Sequence, residues 1–172
     1  MACAISSGYT IDCRESVGGV QTIWVIEKSK IASYAQTDGT LTSITMSPSG
    51  QTFYKVEVPR GTAFATNAIT ASQENGTFYY THLVSFPINS RSATVRNLIN
   101  VLAKNKCVFV TLEGDGVYRM YGASFGLFLD SAEAGSGTAL ADRNGYMCSF
   151  SSQETEDFIV CPSGVISSKL AS

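Results

Sequence analysis

The chain has 172 residues, enough for one domain with a core that folds unaided. Apolar residues make up 44% of it and charged residues 15%, a balance that fits a globular protein with a sparsely charged surface. Twelve Lys and Arg against fourteen Asp and Glu give a net charge of −2, and the basic residues are scattered singly. That argues against a nucleic-acid-binding face, because phosphate neutralisation needs clustered cations.

Residues 1–19 carry little periodicity and end at Gly18-Gly19. They show neither the basic n-region nor the apolar h-region of a signal peptide. No apolar run reaches the ~20 residues of a membrane helix. Val20 to Glu27 is β-branched and aromatic and reads as a strand. Lys28 to Tyr34 reads as a loop or a second short strand, Asp38-Gly39 as a turn, and Leu41 to Met46 as a strand ended by Pro48-Ser49-Gly50. Gln51 to Val58 alternates, with Thr52, Tyr54, Val56 and Val58 as the mostly apolar face and Phe53, Lys55 and Glu57 opposite. Pro59-Arg60-Gly61 then turns the chain.

The sharpest local signal follows. Asn75-Gly76 separates two alternating runs, Thr62 to Glu74 and Thr77 to Phe86. Asn-Gly favours φ > 0 at both central positions, which predicts a two-residue type I′ hairpin. The outgoing run places Phe78, Tyr80, His82, Val84 and Phe86 on one face. The incoming run carries Ala63, Thr66, Ala68, Thr70 and Ser72 and reads as sparsely apolar. Arms of about twelve residues at ~3.3 Å each reach roughly 40 Å, about the diameter of the whole domain. A long hairpin with a thin apolar face does not stabilise itself. Residues 62–87 are therefore expected to form an extended arm that meets a neighbouring subunit through Asn75, Gly76, Phe78, Tyr80, His82 and Val84. A chain lacking 66–84 is expected to fold without assembling.

Helical period occurs once, at Ser92 to Lys104, where Val95, Leu98, Ile99 and Leu102 form one stripe. Asn89, Ser90 and Ser92 offer N-cap oxygens, and Asn105 suits a left-handed C-cap. Cys107 to Leu112 and Val117 to Tyr121 read as strands around a tight turn at Gly114-Asp115-Gly116, with a further strand at Ser124 to Asp130. Residues 131–142, rich in Ala, Gly, Ser and Thr, read as a mobile loop. Asp142 to Gly145 is a second turn leading into a strand from Tyr146 to Ser152. Phe158 to Cys161 suggests a last edge strand closed by Pro162, and 167–172 a loose tail. The expected architecture is a single mainly β domain, an antiparallel β-sandwich or barrel with one flanking helix at about 92–104.

Little in the sequence points to chemistry. The five cysteines, Cys3, Cys13, Cys107, Cys148 and Cys161, include no C-x-x-C pair and read as buried reduced thiols. His82 is the single histidine, so a Cys/His zinc site has little to draw on. No G-x-S-x-G elbow presents a nucleophile to His82, which is read as a packing or interface residue. Glu154, Glu156 and Asp157 are the one acidic cluster, read as a solvated edge. A carboxylate pair for glycoside hydrolysis would have to be assembled from distant strands. Gly114-Asp115-Gly116 precedes a strand rather than a helix, the wrong context for a phosphate loop. Trp24 reads as a core aromatic, with sugar stacking as the alternative. No catalytic residue, cofactor site or metal-ligand set is expected, and the chain is not expected to be an enzyme.

Three stretches together frame most of the chain: residues 5–20, 71–81 and 142–146 with the strand after it. On these the chain resembles small virion structural proteins of tailed bacteriophages, notably those infecting Bacteroidetes. The order of strands, long hairpin, helix and further strands is similar to tail-tube proteins. The resemblance implies a hexameric ring joined by a hairpin that reaches the next subunit. Stacked rings would form the channel through which DNA passes transiently and non-specifically. It implies a location in the virion, assembled in the bacterial host cytoplasm, with partners limited to other copies and other virion proteins. Head–tail connector, tail-terminator and capsid-decorating proteins share these folds and stay open as alternatives, as does a carbohydrate-binding β-sandwich using Trp24.

Overall fold

The computed structural model describes residues 8, 9 and 17–171. Much of 5–20, the first stretch of the resemblance, and both Cys3 and Cys13 lie outside the described residues. The fold is mainly β, in two sheets with short helices. Its strands are β1 (Val20–Glu27), β2 (Ile31–Thr37), β3 (Thr40–Met46), β4 (Tyr54–Val56), β5 (Phe64–Ser72) and β6 (Thr77–Ile88), followed by helix α1 (Ala93–Lys104). Then come β7 (Cys107–Glu113), β8 (Tyr118–Tyr121), β9 (Phe128–Gly135), β10 (Gly145–Glu154), β11 (Ile159–Cys161) and the short helix α2 (Ser163–Ile166). One sheet has seven strands in the order β2-β3-β11-β8-β7-β1-β4, and the other four in the order β5-β6-β10-β9.

The larger sheet is buried on both faces, which is why β1 and β7 are continuous apolar runs rather than alternating ones. Ile23, Val25, Cys107 and Phe109 turn toward the smaller sheet, where they meet Val84, Phe86 and Phe150. Three rings lock the two sheets: Phe109 lies 4.8 Å from Phe150 and 5.9 Å from Phe86, centroid to centroid. Trp24, Ile26, Val108 and Val110 turn the other way, into a second core with Leu41, Phe53 and Ile166. Helix α1 begins at Ser92, whose hydroxyl accepts from the Val95 amide at 3.3 Å. It buries Ile99 and Leu102.

Several sequence expectations change. The Gln51–Val58 strand shrinks to β4, and its faces are reversed at the start, with Phe53 fully buried and Tyr54 63% exposed. Asn105 ends α1 in extended rather than left-handed backbone, and caps it with its side chain by donating to the Val101 carbonyl at 2.9 Å. The strand expected at Ser124 to Asp130 starts later, at Phe128, and runs through to Gly135. Pairing with β10 carries it into the stretch expected to be a loop. β11 is not an edge strand: it lies between β3, to which it is parallel, and β8. The sheets are thus not wholly antiparallel. The tail is held rather than loose as far as it is described. Phe53 donates to the Lys169 carbonyl at 2.7 Å, Ala171 donates to the Phe53 carbonyl at 2.9 Å, and the Trp24 indole donates to the Ala171 carbonyl at 2.9 Å.

Candidate functional site

The hairpin divides into a buried base and an exposed tip. β5 and β6 pair from Phe64↔Ser85 to Ser72↔Thr77. The turn is the four-residue loop Gln73–Gly76, in which Gly76 has φ +61 and Asn75 does not enter the left-handed region. The expected type I′ geometry is therefore absent here. It is found at Asp38-Gly39, with φ of 49° and 75° between the paired Thr37 and Thr40. β10 pairs with β6 from Ile88 to Tyr80 and stops at Tyr80↔Glu154. Only the last three residues of each arm and the loop extend past it, about 10 Å rather than 40 Å.

The inner face of the hairpin carries Phe86, Val84, His82, Tyr80 and Phe78 on β6, with Ile69 opposite Tyr80 and Ala71 opposite Phe78 on β5. Toward the base this face is core: Val84 and Phe86 are fully buried and His82 is 1% exposed. Toward the tip it emerges from the body. Ile69 is 63% exposed and Phe78 62%, with the Phe78 ring edge-on to Tyr80 at 6.0 Å. Of the expected interface residues, Asn75, Gly76 and Phe78 are exposed and Tyr80 is half-buried. His82 and Val84 are not available to a partner, because the seven-stranded sheet covers that end of the strand. For the same reason a chain lacking 66–84 would lose core residues, so it is not expected to stay folded. Sequence reasoning missed Ile69. Its signal was present, as it is the one large apolar side chain in the Ala- and Thr-rich run 65–74.

Where base becomes tip, a polar cluster is buried. Glu154 is 1% exposed, not the solvated edge expected. Its carboxylate accepts from the Ser124 and Phe125 amides at 3.0 and 2.9 Å and from the Ser152 hydroxyl at 2.6 Å. His82 stacks edge-on with Tyr121 at 5.6 Å, and its Nδ1 accepts from the Gly122 amide at 3.2 Å. That contact places the ring proton on Nε2, which is buried with no partner among the described residues. Burial pulls the His82 pKa down, with Glu154 and Asp157 partly opposing. Asn67, opposite His82 on β5, donates to Asp157. Lys28 donates to the Ala123 carbonyl, and burial pulls its pKa down against the field of Glu154.

This cluster ties the 122–125 turn and the 154–158 segment to the hairpin base. It does not assemble a nucleophile and a base. The acceptor nitrogen of His82 is taken by a backbone amide, and the Ser152 hydroxyl is directed at Glu154. A second network, Arg119 bridging Asp115 at 2.6 Å and Glu113 at 2.8 Å, fixes the β7–β8 turn. The Asp115 pKa is lowered chiefly by its hydrogen bond to Arg119. Among the described residues no three His, Cys, Asp or Glu converge as metal ligands, and no helix is long and apolar enough to cross a membrane. Cys107, Cys148 and Cys161 are buried thiols, pushed up to about 12, 11 and 12 by desolvation first. Trp24 is 7% exposed with its indole N–H engaged, so it is not a platform for sugar stacking. Set against family models, characterised proteins and solved structures, the chain matches none.

Proposed function

We propose that this chain is a non-enzymatic structural subunit of a tailed-phage virion that joins its copies through the hairpin tip, as a tail-tube ring in the first instance. The observation that carries the reading is the pair Ile69 and Phe78. Two large apolar side chains more than 60% exposed stand diagonally across the strand pair, on a face that is core a few residues earlier. Single exposed apolar residues are ordinary, but an apolar patch at the end of an ordered hairpin marks a contact surface. The two-sheet body with its flanking helix supports the same reading, as does the scarcity of charge. A connector, tail-terminator or capsid-decorating role rests on the same patch and differs only in position in the virion.

Fully burying both side chains contributes about 3 kcal/mol to each subunit contact, or roughly a hundredfold in affinity. The test is light scattering after size exclusion, with negative-stain images, on the native chain and on the double variant Ile69→Ser, Phe78→Ser. The expected result is rings or tubes for the native chain and monomers for the variant, with the melting temperature of the body little changed. A native chain that stays monomeric at its highest soluble concentration would sink the proposal.

A further inference from the structure

We propose that the groove between α1 and β4 is the receptor for the hairpin tip of a second copy of this chain. The inference rests on the assembly reading above and names the other half of that contact. The helix has a wider apolar stripe than its own body uses. Ile99 and Leu102 are buried, whereas Leu98 and Val101 are 45% and 50% exposed. These two face a groove of about 300 Å³ whose other walls include Val25, Ile26 and the 63% exposed ring of Tyr54.

Size and charge both select the tip as occupant. A space of ~150 Å³ accommodates one benzene-sized group, so the groove has room for about two apolar side chains, the number the tip offers. No residue of the hairpin lines the groove in its own chain. Between residues 64 and 81 the only charge is Glu74, in the exposed loop. Lys30 stands in the groove wall, and Lys104 and Lys106 line the hollow that adjoins it through the shared Glu27 and Asn105. Glu27 is the one acid lining either, so lysines outnumber carboxylates at that end of the groove. An apolar tip ending in a single carboxylate therefore meets an apolar groove with a cationic rim. Because tip and groove are different surfaces, the contact is heterologous, and repetition closes it into a ring or propagates it.

Two single variants decide the matter, each at an outward-facing position. Phe78→Glu spoils the tip and leaves the groove; Leu98→Glu spoils the groove and leaves the tip. The expected result is that each alone is a folded monomer by circular dichroism and light scattering. Mixed in equal amounts, they should form a dimer and nothing larger, since one intact tip meets one intact groove and no second contact remains. Val101→Glu should replace Leu98→Glu in the same experiment with the same outcome. If both groove variants assemble like the native chain while Phe78→Glu does not, the groove is overturned and the tip reading stands. A mixture that stays monomeric at the highest soluble concentration overturns it as well. If Phe78→Glu also assembles like the native chain, or if the native chain is itself a monomer, the tip reading falls and the receptor with it.

Discussion

Glu154 gives the most direct test of how the hairpin base is held. Its carboxylate is 1% exposed and accepts three hydrogen bonds, two from the Ser124 and Phe125 amides and one from Ser152. Glu154→Ala leaves all three donors without their acceptor. A buried donor left unpaired costs ~1–3 kcal/mol. Ser124 is half-buried and Phe125 exposed, so water replaces part of what their amides lose. Taking the low end for each donor gives about 3 kcal/mol, which for a domain of this length lowers Tm by roughly 6–12 °C. Glu154→Gln keeps an oxygen for the two amides and loses the charge, so about 1 kcal/mol and roughly 2–4 °C are expected. The assay is a circular-dichroism melt at neutral pH, in the Phe78→Glu background so that assembly does not raise Tm by mass action. A Glu154→Ala protein melting within a degree of its parent would refute the reasoning, and would restore the solvated edge that the sequence suggested.

His82 supplies a pH signature. Its folded-state pKa is lowered from 6.5, chiefly by burial. The unfolded state therefore takes up the proton first, so this contribution is complete above pH ~6.5 and is lost as pH falls below it, by up to ~1.4 kcal/mol per pH unit. Between pH 7 and 5 the native chain should lose more Tm than His82→Gln, and parallel curves would count against the assignment. Trp24→Phe removes the indole donor to Ala171; a loss of ~1 kcal/mol is expected, with faster tryptic cleavage after Lys169 as the readout. The thiols of Cys107, Cys148 and Cys161, all buried and raised in pKa, should resist iodoacetamide in the native protein and react in urea, as peptide mapping would reveal.

Much of the fold was readable because it rests on local periodicity. β1, α1, β7 and β10 fall where their apolar spacing puts them, and the N-cap is one of those offered. What could not be read depends on partners distant in sequence. β9 extends through small residues because β10 pairs with it. The short β11 becomes interior because β3 and β8 flank it. Glu154 is buried although its neighbours Glu156 and Asp157 look like a solvated acidic run, because two amides of the connection between β8 and β9 turn into it. The Asn-Gly signal marked the right place and the wrong turn. A four-residue loop with Gly alone in the left-handed region satisfies the same glycine.

The candidate site was half legible for a related reason. Alternation correctly put Phe78, Tyr80, His82 and Val84 on one face, but a strand's face does not reveal how far along it a second sheet extends. Here the cover ends between His82 and Phe78, and the polar cluster lies at that boundary. Its position has a consequence for assembly. A contact whose tip is already ordered loses less conformational entropy on binding; beside the pairing of β6 with β10, His82 and Asn67 tie the hairpin to Gly122 and Asp157, and Glu154 anchors the end of β10 against which β6 lies. Stability and assembly should therefore respond asymmetrically. Tip variants such as Phe78→Glu should remove assembly with little effect on Tm. Glu154→Gln should lower Tm and also weaken assembly several-fold, although Glu154 is buried and touches no partner. Comparing the assembly midpoint of native and Glu154→Gln chains well below either Tm separates the cases. An unchanged midpoint would mean that the tip is held by its own strand pairing and that the cluster serves the fold alone.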